Sequence, residues 1–389
     1  EQRNLDEIIR LIADEKISVK PLIEDTLSLE EAQTAIDRIK TGQMKSVAML
    51  LSYPGVTEIT PTIRMYIGSR VTKKEVVNVG VIGVGNFTRN CHIPNLSRHK
   101  GYHLRALCSA TGMTASSVAN MYACDYVTTD YKEILSDPDI DMVLIATRHN
   151  LHAQITVEAA EAGKHVFVEK PAAMDMEEWE QVRETLRRTG VHYMVGYNRR
   201  CSKIAEKAKR YVVHHPIMMK YTVNIQHLPD SHWTLDPVEG GGRLLGESDH
   251  FFDLMNFYAA SKPVDVQAMA LPVSEESKLG LFNFMVQVKY ENESMGQLTY
   301  TSLGGSHVPR EKLEIFSGEK YVELIDFKKL GVNGKFSSVR GDMGHINEID
   351  MFEREMHGDL PAHDLAIRLS ASWTALRAHY ELGIDGEKW

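Results

Sequence analysis

The sequence predicts an α/β chain: a doubly wound parallel sheet, then an α+β domain with a large, open, mostly antiparallel sheet, preceded by a small helical appendage. Three observations carry this. Between Val76 and Tyr197, short β-branched runs alternate with helical patterns, and continuous apolar strands set between helices imply parallel strands covered on both faces. Beyond Tyr197 the strands change to a two-residue period, the mark of a sheet with one covered and one freer face. The 389 residues, 43% hydrophobic and 25% charged, leave room for two or three domains, each with its own core.

Taken in order, residues 1–54 read as an appendage of two amphipathic helices and a strand. Leu5, Ile8, Ile9, Leu11 and Ile12 fall at roughly helical spacing. Ser28 and Glu31 form a capping box for the second helix, Gly42 can end it in left-handed geometry, and the strand "SVAMLLSYP" stops at Pro54. With its "KPLI" strand and its "EEAQTAIDRIKTG" helix, the stretch Leu5 to Pro54 resembles the C-terminal tail of zinc-type medium-chain alcohol dehydrogenases. That resemblance implies the back half of a fused two-enzyme polypeptide. The irregular stretch 55–74 reads as a linker, 75–197 as the doubly wound domain, and 198–389 as the α+β domain. The last contains strands such as "IMMKYTVNIQ" and "LFNFMVQVKY", a helix "DHFFDLMNFYA" and two closing helices.

Charge and cysteine content exclude several classes. A net charge of -9 without a basic tract argues against nucleic acid and anionic membrane as partners. No apolar run is as long as a bilayer span. Cys91, Cys108, Cys124 and Cys201 form no C-x-x-C pair, which fits packing thiols in a reducing cytoplasm. The pairs His149 and His152, Cys91 and His92, and His214 and His215 lack a full ligand set at metal-selecting spacing, so no metal is expected.

The chemistry begins at "GVIGVGNFT". Gly83 and Gly85 follow a strand and precede a helix, where Gly83 permits the tight turn and Gly85 lets backbone N–H groups approach a pyrophosphate. Asn86 and Phe87 belong to the same cofactor loop, and Thr88 stands where a third glycine is usual. At the end of the second strand Ser109 has two readings. It is half of an NADP pattern without the basic partner, or a helix cap, and the acidic residue of an NAD site is absent, so NAD and NADP both remain open.

Three later stretches, "LIATRHNLHAQITVEAAEAGKHVFVEKPAAM", "GYNRR" and "HWTLDPVEGGGRLLGESDHFFDL", fall in one order. Through them the chain from Val76 onward resembles the glucose-fructose oxidoreductase and inositol dehydrogenase family (Gfo/Idh/MocA). The resemblance implies a Rossmann domain, a second domain whose sheet packs against a partner subunit in a homo-oligomer, and reversible oxidation of a sugar or polyol hydroxyl, including that of a nucleotide sugar, by NAD or NADP. Glu169, Lys170 and Pro171 match the family's "EKP", which implies Lys170 beside the nicotinamide and Glu169 in the cofactor site. Thr147 and His152 match a loop written "TPNxxH", which implies cofactor contacts on the nicotinamide side, although Arg148 replaces its proline and His149 its asparagine. His250 matches the family histidine that carries the proton together with the lysine. The family's Asp is Gly246 here, with Glu247 and Asp249 nearby, so the resemblance implies Lys170 and His250 as the catalytic pair, assisted by Glu247. Asn198 and Arg199 fall where family members place substrate contacts. Trp233 and Asp236 supply either a stacking face and a hydroxyl acceptor for a sugar or, for Trp233, a core side chain. A reading from another class is a non-catalytic dinucleotide-binding regulator of the same fold.

Overall fold

The computed structural model describes residues 8, 10–14, 16–28, 31–43, 47–52, 65–66, 76–110, 112–229, 231–272, 279–361 and 364–383. The chain divides into two compact units, Glu1–Pro61 and Thr62–Trp389. In the first unit the strands Ile23–Ser28 and Ala48–Ser52 pair in parallel across the helix Ala32–Lys40. Half of the anticipated capping box is made. The Glu31 carboxylate accepts the Ser28 backbone N–H at 3.0 Å, but it also accepts the Ser28 hydroxyl at 3.0 Å, so Ser28 does not cap the helix with its own side chain. Gly42 ends the helix at φ +67°, where the Gln43 N–H reaches back to Arg38 O at 3.0 Å. Residues 8 and 10–13 of the expected first helix are helical, while residues 5–7, 9 and 15 and most of the stretch 55–74 lie outside the described residues.

The second unit opens with a seven-stranded sheet in the spatial order Met65–Tyr66, Tyr126–Thr128, Tyr102–Cys108, Val77–Ile82, Met142–Ile145, His165–Val168, Tyr193–Val195. The last six are parallel and follow the two-halved Rossmann order. Met65–Tyr66 joins the edge antiparallel to Tyr126–Val127, which corrects the linker reading at that point; two residues are too few to show a strand period. Val77–Ile82 is buried throughout, as a central parallel strand covered on both faces must be. Asp130, Asp175 and Ser202 cap the helices Tyr131–Ser136, Met176–Thr189 and Lys203–Lys209, each accepting a backbone N–H of the first turn.

The second sheet has eight strands in the order Pro263–Ala270, Phe284–Tyr290, Met295–Thr301, Met218–Asn224, Glu311–Ser317, Lys320–Ile325, Lys329–Val332, Lys335–Ser338. All neighbours are antiparallel except Met218–Asn224 and Met295–Thr301. Strict alternation along Phe284–Tyr290 buries Phe284, Val286, Val288 and Tyr290, and Phe284 stacks on Tyr300 with ring centroids 4.8 Å apart. The helices Asp249–Ala259 and Leu365–Glu381 pack together, joined by Asn256 Nδ2 donating to Ser370 Oγ at 2.8 Å. Trp179 of the Rossmann half donates its indole N–H to Leu369 O at 3.1 Å, which fixes the two sheets' helices to each other. Among the described residues no helix is long and apolar enough to cross a membrane.

A Cβ at Gly80, in the central strand, would lie 2.3 Å from Ile134 Cγ2 and 3.1 Å from Ile140 Cδ1. Gly80→Val is therefore expected to lower stability by about 1–3 kcal/mol through overpacking, read as a lower urea midpoint by circular dichroism.

Candidate active site

The site begins where the Rossmann strand order reverses, between Val77–Ile82 and Met142–Ile145. Gly83 takes φ +98°, and a Cβ there would lie 2.5 Å from Ala146 O, so the turn admits only glycine. At Gly85 a Cβ would meet nothing within 4 Å. The open approach to its backbone is what a pyrophosphate needs, so these residues fit a bound dinucleotide. Thr88 is buried at the start of the π-helical turn Thr88–His92. Asn86 Oδ1 accepts from Arg89, and Phe87, 46% exposed, sets its ring edge-on to His92 and His345. Ser109 Oγ accepts the Ala115 N–H at 3.3 Å, but the N-cap of helix Met113–Tyr122 is Gly112, so Ser109 supports the helix start from three residues ahead of the cap.

Below the turn, the Glu169 carboxylate meets His92 Nε2 at 2.6 Å, and its other oxygen lies 3.3 Å from the Lys170 N–H. Burial pushes the Glu169 carboxyl up, but His92, Lys170 and His345 outweigh it and hold the group below the usual range. Burial and the neighbouring Glu169 push the Glu348 carboxyl well above the ordinary glutamate range; its Oε1 faces His345 Nδ1 at 3.3 Å and its Oε2 is enclosed without a partner. Of this cluster only Glu169 stands out in the sequence; His92 and the helix that carries His345 and Glu348 lie far from it in the chain.

At the reacting end, the Lys170 ammonium donates to Gly246 O. His250, 9% exposed, has an enclosed Nδ1 without a partner. Burial, with Arg199, Lys170 and His345 around it, holds the ring well below the ordinary histidine range, so it is neutral at physiological pH. Asp249 is fully buried; its carboxylate accepts the Tyr197 hydroxyl at 3.2 Å and the His250 N–H at 2.9 Å. Burial pushes Asp249 up to about 7 against the opposing pull of Lys170. A carboxyl beside a helical histidine is expected to face another direction, and this one does turn inward, onto the Tyr197 hydroxyl. A separate cavity of about 390 Å³ opens between Asn90, Asn95, Lys203 and His345, and neither Lys170 nor His250 lines it.

Several anticipated contact residues serve the protein instead. His152 is buried and held neutral by burial; its Nδ1 lies 2.8 Å from Pro171 O and donates there, while Nε2 faces Thr147 O at 3.4 Å, so both nitrogens point at backbone carbonyls. Thr147 Oγ donates to Arg148 O at 3.1 Å. Glu169 is spent on His92 and its own neighbour's backbone. Asn198 donates to Met343 O at 2.6 Å and is buried. Arg199 is 5% exposed and forks onto Glu311 at 2.9 and 2.8 Å, which removes it from any substrate. Asp236 Oδ1 accepts the backbone N–H groups of Val238 and Glu239, each at 2.8 Å, closing a turn. Trp233 is half-buried between the Arg148 guanidinium, 4.1 Å from the ring centroid, and the edge of His149 at 4.8 Å. Glu247 accepts from Tyr300 and pairs with Arg243 at 3.1 Å and Arg310 at 3.6 Å, so its carboxylate is held away from the assisting role expected of it. Among the described residues no group of three or more His, Cys, Asp or Glu could hold a metal ion.

The model of the Gfo/Idh/MocA oxidoreductases, an oxidoreductase family with an NAD-binding Rossmann fold, matches residues 77–197. The uncharacterised oxidoreductase YrbE of Bacillus subtilis is 30% identical over 226 residues, 57% of this chain and 66% of its own. Myo-inositol 2-dehydrogenase of Thermotoga maritima is 25% identical over 193 residues, 49% of this chain and 58% of its own. A levoglucosan dehydrogenase solved with NADH and levoglucosan superposes with a TM-score of 0.67 at 20% identity, covering 79% of this chain and 97% of that one; this likeness shows the fold. The chain spans about half to two thirds of the length of the curated relatives it matches.

Two outcomes follow from the burial of these charges. Arg199→Ala strands Glu311 in the core and is expected to cost about 3–5 kcal/mol of stability by urea unfolding, where a surface arginine would cost almost nothing. Asp249 stays protonated in the folded state up to about pH 7 while the unfolded chain ionises near pH 4, so this group costs the parent stability as pH rises through that window. Asp249→Asn removes that loss, and its stability relative to the parent is expected to rise from pH 4 to pH 8 by on the order of a few kcal/mol.

Proposed function

On the premise that residues 77–197 are the NAD-binding Rossmann domain of a Gfo/Idh/MocA-type oxidoreductase, we propose that the protein is an NAD(P)-dependent dehydrogenase of a secondary hydroxyl on a sugar or polyol. The observation that carries this reading is the hydrogen bond of Lys170, just past the Rossmann strand His165–Val168, to Gly246 O of the second domain, four residues before His250, whose ring feels the lysine charge. Gly83 and Gly85 would hold the pyrophosphate by their backbone. The nicotinamide, when bound, supplies the hydride acceptor or donor.

The remaining chemistry belongs to the chain. The Lys170 ammonium hydrogen-bonds the reacting oxygen and stabilises alkoxide character as the C–H bond weakens. His250, neutral at physiological pH, takes the hydroxyl proton during oxidation and returns it during reduction. Asp249 accepts the His250 backbone N–H and so fixes the start of the helix that carries the ring. Glu169, paired with His92, braces the Lys170 backbone from behind.

The outward face of the second sheet leaves Met218, Met295 and Phe316 exposed side by side across three strands, and Met269 opposite Met285. This apolar row supports self-association through that sheet. The parallel strand–helix–strand order of the first unit supports its reading as a dehydrogenase tail from a fused polypeptide.

The purified protein is expected to reduce NAD⁺ or NADP⁺ in the presence of at least one member of a panel of inositols, anhydrosugars, hexoses and nucleotide sugars, followed by absorbance of the reduced nicotinamide. Lys170→Ala should lower kcat at least a hundredfold while NADH or NADPH still binds by fluorescence titration. Cofactor binding by the parent without turnover of any member would favour a dinucleotide-binding regulator.

A further inference from the structure

His149, on the loop after strand Met142–Ile145, takes no part in the chemistry above, yet its ring lies against Gly246, the residue whose carbonyl oxygen takes the Lys170 ammonium. The ring is 5% exposed, and its Nδ1 lies 2.8 Å from Gly240 O. A carbonyl oxygen only accepts, so Nδ1 carries the proton and Nε2 the lone pair. Nε2 has no hydrogen-bond partner among the described residues, and it is not one of the enclosed unpartnered atoms, so it keeps contact with the accessible surface. The ring is held by the edge of Trp233 at 4.8 Å and by His152 at 5.7 Å. It also lies against Gly246, where a Cβ would be 2.8 Å from His149 Cε1 and 3.1 Å from Gly240 O. The same Gly246 gives its carbonyl oxygen to Lys170. The lysine head and the imidazole therefore meet at one residue that has no side chain to separate them.

We propose that His149 Nε2 is a substrate-binding acceptor, receiving the hydroxyl next to the one that Lys170 holds, so that the site selects a vicinal diol. Position 246 is glycine because the imidazole takes the volume that any side chain there would need. This assignment rests on the dehydrogenase reading. Burial, with Lys170, His152 and Arg148 adding positive charge around it, holds the ring down to about 2, so it remains a neutral acceptor at every working pH. A neutral acceptor orients a hydroxyl without pairing off the lysine charge that the reacting oxygen needs.

The test uses His149→Asn, whose amide nitrogen can replace Nδ1 toward Gly240 O while leaving nothing in the place of Nε2, and His149→Gln, whose amide reaches that outer place. The probe is whichever polyol of the panel the parent oxidises best, together with its analogue deoxygenated at the neighbouring carbon. His149→Asn is expected to raise KM for the polyol about tenfold, the worth of one neutral hydrogen bond, with kcat less affected and NADH affinity within about twofold. His149→Gln should recover part of that loss, and on the deoxy analogue parent and Asn variant should share one KM. An Asn variant with the parent's KM, or one that loses equally on the deoxy analogue, overturns the assignment. If the Asn variant does not fold, the Gln variant and the parent carry the same polyol and deoxy comparison. A parent that binds NADH but oxidises no member of the panel overturns the dehydrogenase reading itself, and this assignment with it.

Discussion

The missing side chain at Gly246 is the constraint on which the site depends. Three groups converge there: the Lys170 ammonium on its carbonyl, the His149 ring against its Cα, and Gly240 O close by. A side chain at this position would push back the histidine loop, and with it the Arg148 and Trp233 stack that closes the site on that side. Gly240 serves the same segment from within, since a Cβ there would lie 2.4 Å from the Thr234 backbone and open the loop that carries it. Gly246 is thus the glycine that lets the second domain lie against His149 and Lys170 of the first.

Burial then sets the charge states. His149, His152 and His250 are all held below the ordinary histidine range by loss of solvent, which leaves three neutral rings around one lysine. Two carboxyl groups behave differently from each other for a local reason. Glu169 keeps its charge because His92 and Lys170 are close, whereas Glu348, facing Glu169 with one oxygen unpartnered, is pushed up. Asp249 lies between these extremes, raised by burial and pulled back by Lys170. The net arrangement leaves Lys170 as the positive charge among three neutral rings.

The Asn198–Arg199–Arg200 turn shows how a plausible binding motif becomes architecture. Arg199 and Arg200 each fork onto a buried carboxylate, Glu311 and Asp253, and Asn198 ties the turn to Met343. These ion pairs fasten the last Rossmann strand to the second sheet and to helix Asp249–Ala259, so the arginines position the site without entering it. In sequence they sit beside one another with no carboxylate near. Their partners are 112 and 53 residues away, a separation that no local pattern reports.

Local chemistry was enough to read the frame. β-branched runs between helical patterns gave the parallel sheet, the two-residue period of "LFNFMVQVKY" gave the half-covered one, and the spacing of Gly83 and Gly85 after a strand gave the cradle. These features depend on φ/ψ preferences and on which face of an element is apolar, and both are written in consecutive residues. Which polar groups would find each other was decided only by the fold. His152 and Glu169 turned inward to Pro171 O and His92, Glu247 turned to Tyr300, and His149 filled the space over Gly246. A buried polar atom must be satisfied by whatever the packing brings within about 3 Å, and that neighbour is chosen by the closure of distant elements, which the order of residues along the chain does not specify.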